Sequence, residues 1–183
     1  RTGYGAGYDG RRMDARPRPI VVRLAERSDA VAFAEFLREV WQESGPDAPG
    51  FAGATDEVID QITQLDAVEE RIEADGRTMY LALEDRAVIG FAATRRIDEE
   101  ATELAGIIIR RSHAGRGIGT SLITASLEAA SDQGFTTMIV RTEVDNDLAR
   151  AFYGKLGFGD PVPAEEVVDG EAIEVVEMAR PLR

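Results

Sequence analysis

The sequence has no cysteine and a single histidine, His113. The first absence excludes disulfides, thiolate metal sites and a cysteine nucleophile. The second leaves no basis for a zinc centre or for a Ser-His-Asp triad, so no metal is expected. No window approaches the ~18 apolar residues of a membrane-spanning helix, and the chain reads as soluble, cytoplasmic and without a membrane partner. Positive charge is scarce as well, with 21 Lys and Arg against 34 Asp and Glu and a formal charge of -13. Nucleic acid, which needs the opposite field, is therefore not an expected partner. An acidic surface suits a cationic substrate, and it equally serves solubility.

What is present points to one globular domain. The 183 residues are 44% hydrophobic and 30% charged, and a chain of this length buries roughly two thirds of its unfolded surface. Residues 1–18 read as a tail rich in Gly and Arg, with Met13 as a candidate natural start and no apolar run of a secretory signal. Gly5, Gly7 and Gly10 match G-x-G-x-x-G, but no strand precedes them and no helix follows, so they are not read as a dinucleotide site. Residues 19–183 are expected to form the domain.

Within it, Ile20 to Leu24 reads as a strand, and Ser28 or Asp29 caps a helix carrying Phe33, Phe36, Leu37, Val40 and Trp41 on one face. A loop from Gly45 to Thr55 follows. A second helix starts near Asp56, with Val58, Ile62, Leu65, Val68 and Ile72 on one side, and ends near Gly76. Thr78 to Leu83 and Ala87 to Arg95 form a hairpin across Glu84 to Arg86. Thr102 to Ile109 closes on three isoleucines, the mark of a strand covered on both faces. A third helix spans Gly117 to about Gln133, and a strand spans Thr136 to Val144. A short helix runs from Asn146 to Leu156, and its Leu148, Phe152 and Leu156 are expected inside. An acidic segment with a turn at Asp169-Gly170 precedes a last strand near Glu174 to Met178. The fold class is mixed α/β (α+β), with a largely antiparallel sheet and about four helices.

The densest chemistry lies between the isoleucine strand and the third helix, in Arg110-Arg111-Ser112-His113-Ala114-Gly115-Arg116-Gly117-Ile118-Gly119-Thr120. Alternating glycines let successive N-H groups converge on one anion, and the start of the following helix adds roughly half a positive charge. A diphosphate fits such a nest, with Arg110, Arg111 and Arg116 nearby. The pattern is not a P-loop, because no Gly-Lys-Ser/Thr follows. A bare strand-to-helix turn would use the same glycines. His113 is read as an exposed loop histidine.

Here the sequence resembles the GNAT family of N-acetyltransferases, whose hallmark is a Gln/Arg-x-x-Gly-x-Gly/Ala turn after the fourth strand. Ala114, Gly117 and Gly119 hold those positions, and Ala114 departs from the usual Gln or Arg. The family's second signature is matched by Asn146, Ala149, Tyr153, Gly157 and Phe158. The resemblance extends over most of residues 20–180. It implies a sheet splayed between strands four and five, with acetyl-CoA or coenzyme A in the gap. Ile107, Ile108 and Ile109 would offer backbone to its pantetheine arm, Ala114 to Thr120 would hold its phosphates, and Asn146 would stand near the arm. It further implies transfer of acetyl to an amine of a small molecule or a peptide, in a fold where a homodimer is common.

Tyr153 is then the expected general acid toward the departing thiolate. For the base, Glu103 shares a strand face with residues 105, 107 and 109 if alternation is unbroken. Glu143 and a water chain are the alternatives. A non-catalytic acyl-CoA sensor on the same fold is the competing reading. Acceptor choice is assigned to the Gly45 to Thr55 loop and to the acidic stretch from Asp160 to Glu171.

Overall fold

The computed structural model describes residues 18–45, 55–168 and 171–182. Most of the expected tail, loop positions 46–54 and the Asp169-Gly170 turn lie outside the described residues. The elements run β1 (Ile20–Leu24), α1 (Ala30–Ser44), α2 (Asp56–Ile62), α3 (Leu65–Glu73), β2 (Arg77–Glu84), β3 (Ala87–Arg96), β4 (Ala101–Ile109), α4 (Ile118–Asp132), β5 (Thr137–Glu143), α5 (Asp147–Lys155), β6 (Val162–Val168) and β7 (Glu171–Pro181). The seven strands form one sheet in the order β1-β2-β3-β4-β5-β7-β6. Every neighbouring pair is antiparallel except β4 with β5.

Each face of the sheet buries its own apolar cluster. On one side Phe33, Phe36, Leu37 and Val40 of α1 and Val68 of α3 pack on Leu81, Phe91, Ala93 and Ile108. Phe91 meets Phe33 edge-on, with ring centroids 4.9 Å apart. On the other side Ile118, Leu122, Ile123 and Leu127 of α4 join Ala92, Leu104, Met138, Val140 and Met178, together with Tyr153 and Phe158. Helices on both faces hold the central strands rigid, which is the condition for a precise site between them.

Several expectations change. The second helix is two, because the chain leaves helical geometry at Thr63 and Gln64. That break shifts the stripe, so Val58 and Leu65 are exposed while Ile59 and Val68 are buried. Asp29 is the cap residue of α1, one of the two expected, but its side chain makes no capping hydrogen bond to that helix. Asp29 instead accepts from the Glu26 amide and pairs with Arg23, tying the chain to β1. Leu148 is 84% exposed, not inside, whereas Phe152 and Leu156 pack against the second cluster. The acidic segment contributes a full strand, β6, that pairs with β7.

The feature that shapes the site is how little β4 and β5 pair. Their parallel ladder covers only Ala101, Thr102 and Glu103 against Thr137, Met138 and Ile139. Beyond it the two strands part, leaving the backbone of β4 from Leu104 to Ile109 without a partner from β5. The expected splay is present.

Candidate active site

The stretch of β4 that has parted from β5 carries a second irregularity. Ala93 lies opposite Gly106 and Thr94 opposite Leu104, so Ala105 is an extra residue in β4, a bulge. A bulge interrupts the two-residue alternation. Leu104, Ile107 and Ile109 therefore all face α4, and Ile108 faces α1. Glu103, next to Leu104, points to the α1 side. The expectation that residues 103, 105, 107 and 109 share one face is corrected by this single inserted residue.

Glu103 is 4% exposed and both its oxygens are taken. Arg95 donates to Oε2 at 2.6 Å and Arg141 to Oε1 at 3.1 Å. Arg141 also reaches Glu177 at 2.7 Å. The carboxylate is thus held by two guanidinium groups on the face away from Ile107 and Ile109.

On the α4 side the glycine turn is built as a nest. Gly115 and Gly117 have φ of 75° and 78°, a region in which an L side chain is strained. Gly117 is the cap residue of α4, no side chain caps the helix, and its first turn has no acidic residue. The leading amides of Ile118, Gly119 and Thr120 therefore emerge at the positive end of a 15-residue helix dipole with no side chain neutralising them. Gly119 serves another purpose. A Cβ there would lie 3.1 Å from Phe152 and 3.2 Å from Ile109, so its absence lets α4, α5 and β4 approach at the head of the gap.

Two of the three arginines expected at the nest are engaged by carboxylates. Arg110 turns back to α1, pairing with Glu39 and lying 5.9 Å over Phe36. Arg116 pairs with Glu84 at 2.8 Å. His113 is not an exposed loop residue, since its side chain is 15% exposed and Nε2 lies 3.2 Å from Glu84. Arg116, then His113, hold the Glu84 carboxyl below its ordinary range. Glu84 thus anchors the nest to the β2–β3 hairpin, a role no sequence pattern announced.

Opposite the nest, at the start of α5, Asn146 accepts from the Ala149 amide at 3.0 Å and donates to Glu143 at 3.0 Å. Glu143 sits where β5 ends. The Asn146 amide, followed by backbone and Thr142 donors, keeps its carboxyl below the ordinary range, so it is ionised near neutrality. Tyr153 is 7% exposed, with its ring 5.6 Å from Phe152 and 5.7 Å from Phe158. Burial, and next the negative charge of Glu143, push its hydroxyl up to about 12. Tyr153 and Glu143 therefore sense one another, while Glu103 is engaged elsewhere. Among the described residues no cluster of His, Cys, Asp and Glu could hold a metal ion, and no helix is long and apolar enough to cross a membrane.

Comparison with known proteins accords with this geometry. Residues 30–158 match the profile of the Acetyltransferase (GNAT) family. N-alpha-acetyltransferase 30 of Schizosaccharomyces pombe is 35% identical over 83 residues, 43% of this chain and 55% of that protein. Mycothiol acetyltransferase of Streptomyces coelicolor is 33% identical over 100 residues, 53% of this chain and 32% of that protein. The chain spans about half of the first relative and about a third of the second. Among solved structures, the PaiA N-acetyltransferase of Thermoplasma acidophilum in complex with coenzyme A superposes with a TM-score of 0.66 at 20% identity, over 89% of this chain and 99% of that one. The ribosomal-protein-S18-alanine N-acetyltransferase of Escherichia coli does so with 0.63 at 16% identity, over 90% and 94%.

Proposed function

The chain belongs to the acetyltransferase (GNAT) family, and we propose from that premise that it transfers acetyl from acetyl-CoA to a primary amine of a small molecule or a protein. The observation that carries the reading is the edge of β4 that faces β5 without pairing to it, beside an uncapped helix start. Extended, unpartnered N-H and C=O groups suit the amides of a pantetheine arm, and the amides at the head of α4 suit its diphosphate. The similarity to a structure that contains coenzyme A supports that ligand. Similarity to a relative named as an N-alpha-acetyltransferase supports an amine as the acceptor.

In the reaction the amine nitrogen attacks the thioester carbonyl carbon, a tetrahedral oxyanion forms, and the C-S bond then breaks. The products are an amide and the free thiol, whose proton comes in balance from the amine. A hydroxyl pushed up to about 12 is a far weaker acid than a thiol of ordinary pKa near 8.5, so it does not give its proton outright to the thiolate. Tyr153 therefore acts as a hydrogen-bond donor that stabilises the departing sulfur, more than as a complete proton donor. Glu143, ionised and within the field of Tyr153, is the carboxylate best suited to hold the incoming ammonium and pass its proton to water. Its depressed pKa makes it a weak base but a persistent negative charge.

The test is a panel of primary amines incubated with acetyl-CoA and the protein, read by release of free thiol. Thiol release that depends on both amine and protein is the expected result. A protein that coenzyme A stabilises thermally, but that releases no thiol with any amine, would refute transfer and leave binding only.

A further inference from the structure

Resting on the reading that coenzyme A occupies the gap, we propose that Glu103 is a positioning residue, part of an ion-pair clamp that sets how far β4 and β5 part. Arg95, Glu103, Arg141 and Glu177 run in one line across β3, β4, β5 and β7, with N to O distances of 2.6, 3.1 and 2.7 Å. The line crosses the sheet where the backbone ladder stops. Glu103 with Ile139 is the last β4–β5 pair, and Arg141 is the second residue beyond Ile139. The Glu103–Arg141 bridge thus spans the first step of the splay, where no backbone bond restrains it.

The geometry favours restraint over catalysis. Arg95 faces Glu103 across the β3–β4 ladder and Arg141 faces Glu177 across β5–β7, so each arginine starts from a fixed register. Arg141 forks, placing Nη1 on Glu103 and both Nε and Nη2 on Glu177. A planar guanidinium can bridge two carboxylates in this way and an ammonium cannot. Glu103 is buried, both oxygens are satisfied, and the bulge at Ala105 turns it away from the side of the gap lined by Ile107 and Ile109. Opening the bridge would leave the buried Glu103 with the half-exposed Arg95 as its one cationic partner, which opposes separation.

The clamp sets the width available to the pantetheine arm without touching the phosphate nest. Loosening it should weaken coenzyme A and spare a fragment that ends at the diphosphate. Calorimetric affinities of coenzyme A and of adenosine 3′-phosphate 5′-diphosphate are compared for wild type, Glu103→Gln, Arg141→Met and Arg141→Lys, each verified as folded by circular dichroism. Arg141→Met, at a side chain 26% exposed, remains informative should the buried variant not fold. Coenzyme A affinity should fall roughly 5- to 100-fold in Glu103→Gln and Arg141→Met, the usual range for coupling between sites. Arg141→Lys should fall in between, fragment affinity should be unchanged, and the pH profile of kcat for Glu103→Gln should superimpose on wild type. Parallel loss of both ligands, unchanged coenzyme A affinity or a displaced pH profile would each overturn the clamp. A wild type that binds neither ligand would instead overturn the reading on which it rests.

Discussion

A tyrosine whose hydroxyl is pushed up to about 12 by burial and by the charge of Glu143 remains protonated throughout the range in which amines lose their protons. Because the shift is upward, the donor is present below the ordinary value near 10 and begins to vanish only as pH approaches 12. Activity should therefore show no alkaline decline attributable to Tyr153 below about pH 11, measured as kcat against pH. Tyr153→Phe retains the ring packing against Phe152 and Phe158 and removes only the O-H. Cofactor affinity should persist while kcat falls about 10-fold or more, the usual scale for one positioned donor. The two carboxylates separate in the same experiment. Glu143→Gln should lose activity near neutrality and recover toward high pH, where the amine is already deprotonated, whereas the profile of Glu103→Gln should match wild type. A shifted Glu103→Gln profile beside an unaltered Glu143→Gln profile would exchange the two roles. At this scale Glu103 could not be oriented from the sequence. Alternation from residue 103 to 109 presumes an uninterrupted strand, and one extra residue at Ala105 reverses its face.

The glycine turn shows which part of an element can be read before folding. Gly115, Gly117 and Gly119 were legible because alternating glycines before an amphipathic helix have few other uses, and the structure separates their causes. No atom lies within 4 Å of a Cβ built on Gly117, so its constraint is φ alone. Gly117→Val should destabilise the fold by about 1–2 kcal/mol or more and abolish the thermal shift given by coenzyme A. Gly117→Asn, which tolerates a left-handed backbone, should retain much of that shift. If both variants bind as wild type does, the nest does not hold the phosphates. Other details of the elements were not legible for physical reasons. The break between α2 and α3 carries no glycine or proline, and the outward Leu148 sits on a helix too short for its periodicity to define a face. The pairing of Arg116 with Glu84 joins residues 32 apart, a separation that no local pattern reports.

For the molecule as a whole, the mixed sheet and most of the element order followed from strand and helix periods, but the division of the second helix, strand β6 and the gap between β4 and β5 did not. The gap lies in the register, where two parallel strands pair over only three residues, and Gly119 admits the close approach of Phe152 and Ile109 beside it. The resemblance to a family supplied that feature, and the register of the strands bears it out. The charge of -13 coexists with a helix start free of acidic residues, so an anion can be bound locally within an acidic protein. Transfer of isotopically labelled acetyl from acetyl-CoA to a primary amine measures the proposed reaction most directly. Labelled amide should form with the wild-type protein and form about 10-fold or more slowly with Tyr153→Phe at equal cofactor occupancy. Labelled amide appearing equally fast with Tyr153→Phe, or not at all with any amine although coenzyme A binds, would contradict the account.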